Sequence, residues 1–496
     1  MDLTEGNFFK VIPLYTIPMI LLSLLQLLYS SADQIIAANF GEGYTSLNAI
    51  GSNTALINLI LGVFIGIGVG ANVVIAKAKG KGNREKARRT IQSAIVLAIF
   101  SGIFLAIAGY FLAPILLKLM NTPELYIDKA TDYLRIYFIG TPFLMVFNFG
   151  SSLLRGIGDS VRPLLALLSC GLINIGLNFL FVVGFKLDVV GVGITTVISE
   201  FLEAILILVF LSKKDNFASY KWNEWRTYKE ETKEILKHGI PAGIQSAIFS
   251  ISNNFIQTGV NGFEDLSSNL TSDIAVAGNT ASIQIEHYIW NCMNAFATAV
   301  AALVSSNYGA RKKQNLMKIF WVSMFYETVV GIGLGVFCFL LRYQFIGFFI
   351  SPESFKTSEG MFLSEAYQRA LAVGTARLTL VGLTYFLDGY MDVMSYYLRG
   401  LGHSKTPTVV TVITITILRI VFVTVLWKNI PGIYTLLALW IIWPITWSLA
   451  ILTYSFIIHP YNLKAYDHID RHLAMEIAER EKQEALANES IQSMHV

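Results

Sequence analysis

The sequence predicts an all-α polytopic membrane protein, with twelve transmembrane helices in two pseudo-symmetric six-helix lobes. Three observations predict it. The residues are 54% hydrophobic and 14% charged, with a mean hydropathy of +0.56, whereas soluble domains carry about 25% charge. Apolar runs of roughly 20 residues, enough to cross a bilayer, recur along the whole chain. The decapeptide Leu-Arg-Gly-Ile-Gly-Asp-Ser-Val-Arg-Pro at 154–163 returns as Leu-Arg-Gly-Leu-Gly-His-Ser-Lys-Thr-Pro at 398–407, identical at six of ten positions. A motif repeated half a chain apart marks one module used twice.

In order, the apolar segments fall at 12–36, 47–76, 92–118, 130–153, 164–185 and 189–212, then at 238–262, 275–304, 316–349, 370–397, 408–427 and 431–458. The implied organisation is an amino-terminal lobe over 1–212, a connector over 213–237, a second lobe over 238–459 and a polar tail over 460–496. The connector, with Lys213, Lys214 and later Glu224 to Glu231, reads as an amphipathic strip at the membrane surface. The tail reads as a solvated helix with charge pairs three and four residues apart, loosely attached. Residues 1–10 are short and mildly acidic, without a cleavable signal pattern, so the first span is read as retained.

Orientation comes from lysine and arginine. The loop after span two carries Lys77, Lys79, Lys81, Arg84, Lys86, Arg88 and Arg89, and the loop after span eight carries Arg311, Lys312 and Lys313. Odd-numbered loops are acidic or neutral, as in Phe40-Gly-Glu-Gly, Phe263-Glu-Asp-Leu and Ser351-Pro-Glu-Ser. The even loops and both termini are therefore expected in the cytoplasm, of a cell-membrane protein. A second echo supports the duplication: Ala49-Ile-Gly-Ser-Asn-Thr-Ala recurs as Ala275-Val-Ala-Gly-Asn-Thr-Ala, each opening the second span of its half. Halves that begin and end on one side are parallel repeats, which place a substrate site in the cleft between them and open it alternately.

Several function classes drop out. No phosphate-binding loop, metal cluster or nucleophile constellation is present, so an enzyme is not expected. Cys170, Cys292 and Cys338 lie far apart in apolar stretches and read as small buried hydrophobes. The sequons at Asn269 and Asn488 carry little weight in a chain without secretory features.

The doubled Leu-Arg-Gly-x-Gly-x-Ser-x-x-Pro loop, the Asn-Thr-Ala openings and the Gly80-Lys-Gly-Asn-Arg-Glu-Lys-Ala-Arg-Arg loop resemble the multidrug and toxic compound extrusion (MATE) family over roughly residues 10–458. The major facilitator superfamily shares the span count and a basic loop after span two, but the repeat after spans four and ten separates the two. Physically, the repeated loop is expected to be a tight turn. Its glycines allow positive φ and close approach. Its serine caps the helix after the turn, and Pro163 or Pro407 opens that helix. Arg155 and Arg399 would sit at a helix end near lipid phosphates.

Ionisable groups inside spans are costly and each needs a reason. Asp33 lies fifteen residues beyond Pro18 in span one. The resemblance implies a cation-coupling role there, with Pro18 as a helix hinge because it lacks a backbone donor; the alternative is an acid snorkelling to the outer rim. Asn174 and Asn178 share a face of span five. In several family members this pair is Asn and Asp, completing a cation site with a threonine of span six, matched here by Thr196. The site implied for a monovalent ion is therefore Asp33, Asn174, Asn178 and Thr196, with Asn178 standing where the family has an acid. Glu200, one turn beyond Thr196, either supplies the missing charge or pairs elsewhere.

In span ten, Asp388 and Asp392 lie one turn apart, and Asp388 resembles a coupling acid of other members. Two carboxylates on one face cannot both ionise cheaply, which suits proton exchange; the alternative is a salt bridge to Arg419. Glu286 and Glu327 are the remaining intramembrane acids of the second half. Aromatics reach 13%, and Tyr29, Phe147, Tyr288, Trp290, Tyr385 and Tyr390 lie within spans. Aromatic faces with buried acids suit bulky organic cations. Tyr29, Phe147, Glu286, Tyr288 and Tyr385 are the candidates to line that cavity.

The expected function is secondary antiport, exporting organic cations or drugs against H⁺ or Na⁺ with no cofactor beyond the coupling ion. The protein is expected to act as a monomer among membrane lipids, with no nucleic-acid partner. A lipid-linked or polysaccharide precursor is the alternative cargo on the same fold. A wide basic cavity would favour it, and the scarcity of basic residues within spans counts against it.

Overall fold

Twelve long helices succeed one another among the described residues of the computed structural model, which are all but Gly43, Asn121, Asp215, Pro431, 265–270, 351–363 and 495–496. The acidic loop at Ser351 and the sequon residue Asn269 lie outside the described residues. The first six are α1 (Phe8–Phe40), α2 (Tyr44–Gly80), α3 (Arg84–Leu119), α4 (Ile127–Gly156), α5 (Val161–Gly184) and α6 (Asp188–Ser212). The second six are α7 (Lys229–Asn261), α8 (Ser272–Gly309), α9 (Lys313–Leu340, then a short turn at Arg342–Phe349), α10 (Ser364–Gly400), α11 (Lys405–Trp427) and α12 (Leu436–Met494). No strand occurs among the described residues. Such a fold suits a bilayer, where each helix satisfies its own backbone donors and acceptors.

Eleven of these helices are long and apolar enough to cross a membrane. The remaining one, α7, is long but polar: it opens on Lys-Glu-Glu-Thr-Lys-Glu and carries Asn253 and Asn254. It starts at Lys229 instead of 238, so the connector loses its last turns to the helix. The tail also differs from expectation. α12 runs unbroken through Pro444 and Pro460, and its polar part is docked rather than loose. Lys313 reaches Asp470 at 2.6 Å, Arg311 pairs with Glu476, and Ile469 is buried.

The repeated loops form matched turns, and their two glycines divide the work. Gly158 and Gly402 take φ of +87° and +95°, the region that only glycine enters without strain. Gly156 and Gly400 give close approach, since a methyl there would strike α2 at Ile75 and Asn72, or α8 at Val304 and Ala301. The serines do not cap. Asp159 accepts from the backbone N–H of Val161 (3.2 Å) and Arg162 (3.1 Å), and Ser404 instead meets His238 at 3.0 Å. Nor does Arg399 face phosphate: it is buried, donating to Gln245 of α7 at 2.6 Å.

The two halves meet along a seam at the lysine- and arginine-rich end. Gly62, Gly66 and Gly70 of α2 lie against Ser246, Gly243 and Gly239 of α7, so closely that a methyl on Gly66, Gly70, Gly239 or Gly243 would collide with backbone. Gly80 and Gly309 continue the contact between α2 and α8. Small residues let helix backbones approach in this way. Across the same end lies the segment before α1. Lys79 Nζ donates to the Met1 carbonyl (3.0 Å), Asn307 Nδ2 to that of Leu3 (2.8 Å) and Asn315 Nδ2 to that of Thr4 (3.2 Å), strapping one half to the other. At the opposite end, hydrophobic packing stays within each half. The cleft between them is thus shut at the basic end.

Candidate functional site

Within the first six helices, a polar set forms where α1, α5 and α6 converge. Asn178 closes the α-helical part of α5, and a π-helical turn, Phe179–Gly184, comes immediately after it. π-turns are rare and often mark functional sites. Asn178 is fully buried and is the hub of the set. Its Nδ2 donates to Asp33 Oδ1 at 2.6 Å and to Asn174 Oδ1 at 3.0 Å. Its Oδ1 accepts from the hydroxyl of Thr195. Asp33, half-buried on α1, also has Thr196 as a neighbour, whose hydroxyl donates to the Val192 carbonyl at 2.8 Å. Asp33, Asn174, Asn178 and Thr196 are therefore brought together, and Thr195 joins them unforeseen. Its signal was in the sequence: in a Thr-Thr pair on a helix, the two side chains point about 100° apart, so each can serve a different neighbour.

Asn178 thereby solves a satisfaction problem. A buried amide offers two donors and an acceptor, and all three are used here. Every oxygen that would face a cation (Asp33, Asn174, Thr196) is an acceptor or can turn to be one. Among the described residues, no group of three or more His, Cys, Asp or Glu side chains converges as a metal site.

Glu200 is buried one turn beyond Thr196, and its Oε2 has no hydrogen-bond partner among the described residues. It faces Glu203 and Asp33 through space. Glu203, also buried, was not foreseen, although it stands three residues on along the same face. Pro18 sits inside an unbroken α1, together with Pro13. Tyr29 packs its ring on Gly171 of α5, and its hydroxyl points to the Leu168 carbonyl at 3.4 Å. Phe147 is buried in the hydrophobic core of this half.

In the second six helices, Asp388 is buried and Asp392 is half-buried a turn later, while Glu327 of α9 is buried; among the described residues, Oδ1 of Asp388 and both oxygens of Glu327 have no hydrogen-bond partner. The three face one another through space. Asp388 and Arg419 form no ion pair. Arg419 is fully buried and donates instead to Asn253 Oδ1 (3.0 Å) and Thr446 Oγ1 (3.1 Å), with its guanidinium 4.0 Å from the Trp443 ring centroid.

Glu286 is a paired core residue instead of a wall of the cavity. Arg377 of α10 grips it with two bonds of 2.7 and 2.8 Å, and Ser282 adds a third at 2.8 Å. Asn279, from the repeated Asn-Thr-Ala opening, accepts from Arg377 (3.0 Å) and Trp440 (3.1 Å). Tyr385 is buried against Trp447 at 5.2 Å, and Tyr390 meets Thr328 at 2.5 Å. Tyr288 and Trp290 remain half-buried.

The chain is similar to known proteins along most of its length. The MatE family model matches residues 18–180 and 246–425, once in each half. The chain is 25% identical over 424 residues to a probable multidrug resistance protein, YoeA, of Bacillus subtilis, covering 83% of this chain and 85% of that one. It is 26% identical over 423 residues to a second from the same organism, YpnP, covering 85% and 89%. Among solved structures, an outward-facing multidrug resistance MATE family transporter of the MOP superfamily superposes with a TM-score of 0.81 at 21% identity, over 95% of this chain and 98% of that one.

Proposed function

This chain belongs to the MatE family, and from that premise we propose that it is a multidrug efflux transporter, a secondary antiporter exporting organic cations or drugs against H⁺ or Na⁺. The two halves rock about the cleft between them. The seam of α2 on α7 and α8 closes the basic end. With positive charge on the cytoplasmic side of the plasma membrane, that closed end is the inner one, both termini are cytoplasmic and the cleft opens outward. The protein works as a monomer in contact with lipid and needs neither a cofactor nor a nucleic-acid partner.

The observation that carries the coupling is the bond from Asn178 to Asp33. With its donor turned to Asp33, Asn178 supplies the positive end of a dipole where an ion would stand. The orientation of such an amide is assigned from its hydrogen bonds. A half-turn about the last side-chain bond would present Oδ1 beside Asp33 and Asn174 to an incoming cation. It would leave Nδ2 facing Thr195, whose hydroxyl can accept as readily as donate. A proton on Asp33 would instead remove the charge that holds Asn178. Either event loosens the α1–α5 contact, and Pro18, which lacks a backbone donor, lets α1 respond.

The alternative cargo, a lipid-linked or polysaccharide precursor, calls for basic side chains free to meet phosphate. The buried arginines Arg377, Arg399 and Arg419 are committed to Glu286, Gln245 and Asn253. The reading is tested in proteoliposomes by efflux of a fluorescent organic cation under imposed proton or sodium gradients. Gradient-driven efflux that is lost in Asp33→Asn is expected. Undiminished coupling in that variant would sink Asp33, and efflux indifferent to both gradients would sink antiport.

A further inference from the structure

The second half repeats the geometry of the cation site and fills it from within. In α5, Asn178 lies fifteen residues beyond Pro163; it joins Asp33, fifteen beyond Pro18 of α1, to Thr195 of α6. In α11, Arg419 lies twelve residues beyond Pro407; it joins Asn253, twelve beyond Pro241 of α7, to Thr446 of α12. The first, fifth and sixth helices of each half meet at corresponding points, displaced by about one helical turn in both proline-anchored helices. π-helical turns accompany both points: Phe179–Gly184 comes directly after Asn178, and Val412–Ile417 and Phe422–Trp427 flank Arg419.

The chemistry inverts between them. The first point gathers the acceptors Asp33 Oδ1 and Asn174 Oδ1 around a neutral amide donor, Asn178 Nδ2. The second surrounds a guanidinium with acceptors and aromatic faces: Asn253 Oδ1 at 3.0 Å, Thr446 Oγ1 at 3.1 Å, and ring centroids of Trp443, Phe249 and Trp447 at 4.0, 5.5 and 5.9 Å. Amide and hydroxyl oxygens with π faces are the surroundings that hold a desolvated cation. Nη2 of Arg419 has no partner among the described residues, and neither has Oδ1 of Asp388, whose charge faces it through space.

We propose that Arg419 is a resident cation, occupying a place in the second half that would otherwise take a free monovalent cation, so that this half contributes no exchangeable ion of its own there. The inference rests on reading the Asp33 set as a cation site. It predicts that removing the guanidinium creates a vacancy that a free cation refills.

Purified Arg419→Ala is melted with methylguanidinium chloride at sub-denaturing millimolar concentrations, against choline chloride of equal ionic strength. A ligand bound by the folded state alone raises the melting temperature by mass action. The expected result is a saturable rise of a few degrees in Arg419→Ala, absent from the wild type and preserved when Asp33→Asn is added. Cooperative melting of Arg419→Ala with no greater response than the wild type overturns the proposal, as does loss of the response on adding Asp33→Asn. If Arg419→Ala does not fold, Arg419→Gln with sodium and methylguanidinium carries the same comparison. Because transport is not measured, a failed efflux assay and a failed refilling assay are separate results.

Discussion

Asn178 Nδ2 lies 2.6 Å from Asp33 Oδ1, so the amide supplies the donor that satisfies the carboxylate beside it. Placing an acid at 178 should therefore expose a dependence that the amide hides. In Asn178→Asp, two carboxylates face each other without a donor between them, and like charges at this range are costly. At pH 8 without sodium, the variant should melt several degrees below the wild type and recover as sodium is added. An equal sodium response in the two proteins would contradict this.

Thr195 and Thr196 should separate a positioning role from a liganding one. The Thr195 hydroxyl is fully buried and bonded to Asn178, so Thr195→Val should cost about 1–3 kcal/mol of stability through the orphaned amide oxygen. The Thr196 hydroxyl returns its proton to the Val192 carbonyl at 2.8 Å, a bond dispensable to the fold. Thr196→Val should melt almost as the wild type does while requiring more coupling ion for half-maximal efflux. Denaturation curves and ion titrations of both variants decide the matter.

The glycine seam predicts a change of state without a change of fold. Gly243→Leu puts a side chain where the Val63 carbonyl now lies. The halves should part at the basic end while each keeps its own core. With Cys170, Cys292 and Cys338 replaced, a reporter made by Ser246→Cys should react with an impermeant maleimide at least about tenfold faster in Gly243→Leu, equivalent to ~1.4 kcal/mol of population shift. An unchanged labelling rate would show that the seam stays shut.

Breaking the pair of Glu286 and Arg377 should be a stability event. Glu286→Gln leaves a buried guanidinium without its counter-charge, at about 3–5 kcal/mol. The paired replacement Glu286→Leu with Arg377→Met should recover most of that loss, because volume is kept and no charge is stranded. Thermal melting of the two proteins checks the order. A double variant no better than the single one would assign Glu286 a role beyond the pair.

Much of the fold was legible because its signals are local. Apolar length marks spans, and the Leu-Arg-Gly repeat located both turns, with positive φ at Gly158 and Gly402. Asp33, Asn174 and Asn178 were singled out because the family resemblance implies a site at those positions, and the folded chain brings them together. Partners across helices were not legible. Glu286 needed Arg377, some ninety residues away, and nothing nearby in sequence announces it. The capping role of Asp159 was hidden by a serine that fits the same rule. The seam did leave a trace: glycines four apart at 62, 66 and 70 and again at 239 and 243 are a helix-packing pattern.

The same seam has a thermodynamic consequence. Closing an interface lined with long side chains freezes rotamers, at up to about 1.5–2 kcal/mol for each lysine, methionine or glutamate ordered. Gly62, Gly66, Gly70, Gly239 and Gly243 have no rotamers to freeze. Packing the two halves along this glycine line therefore carries almost no side-chain entropy penalty, so the contact is held at the cost of backbone order alone.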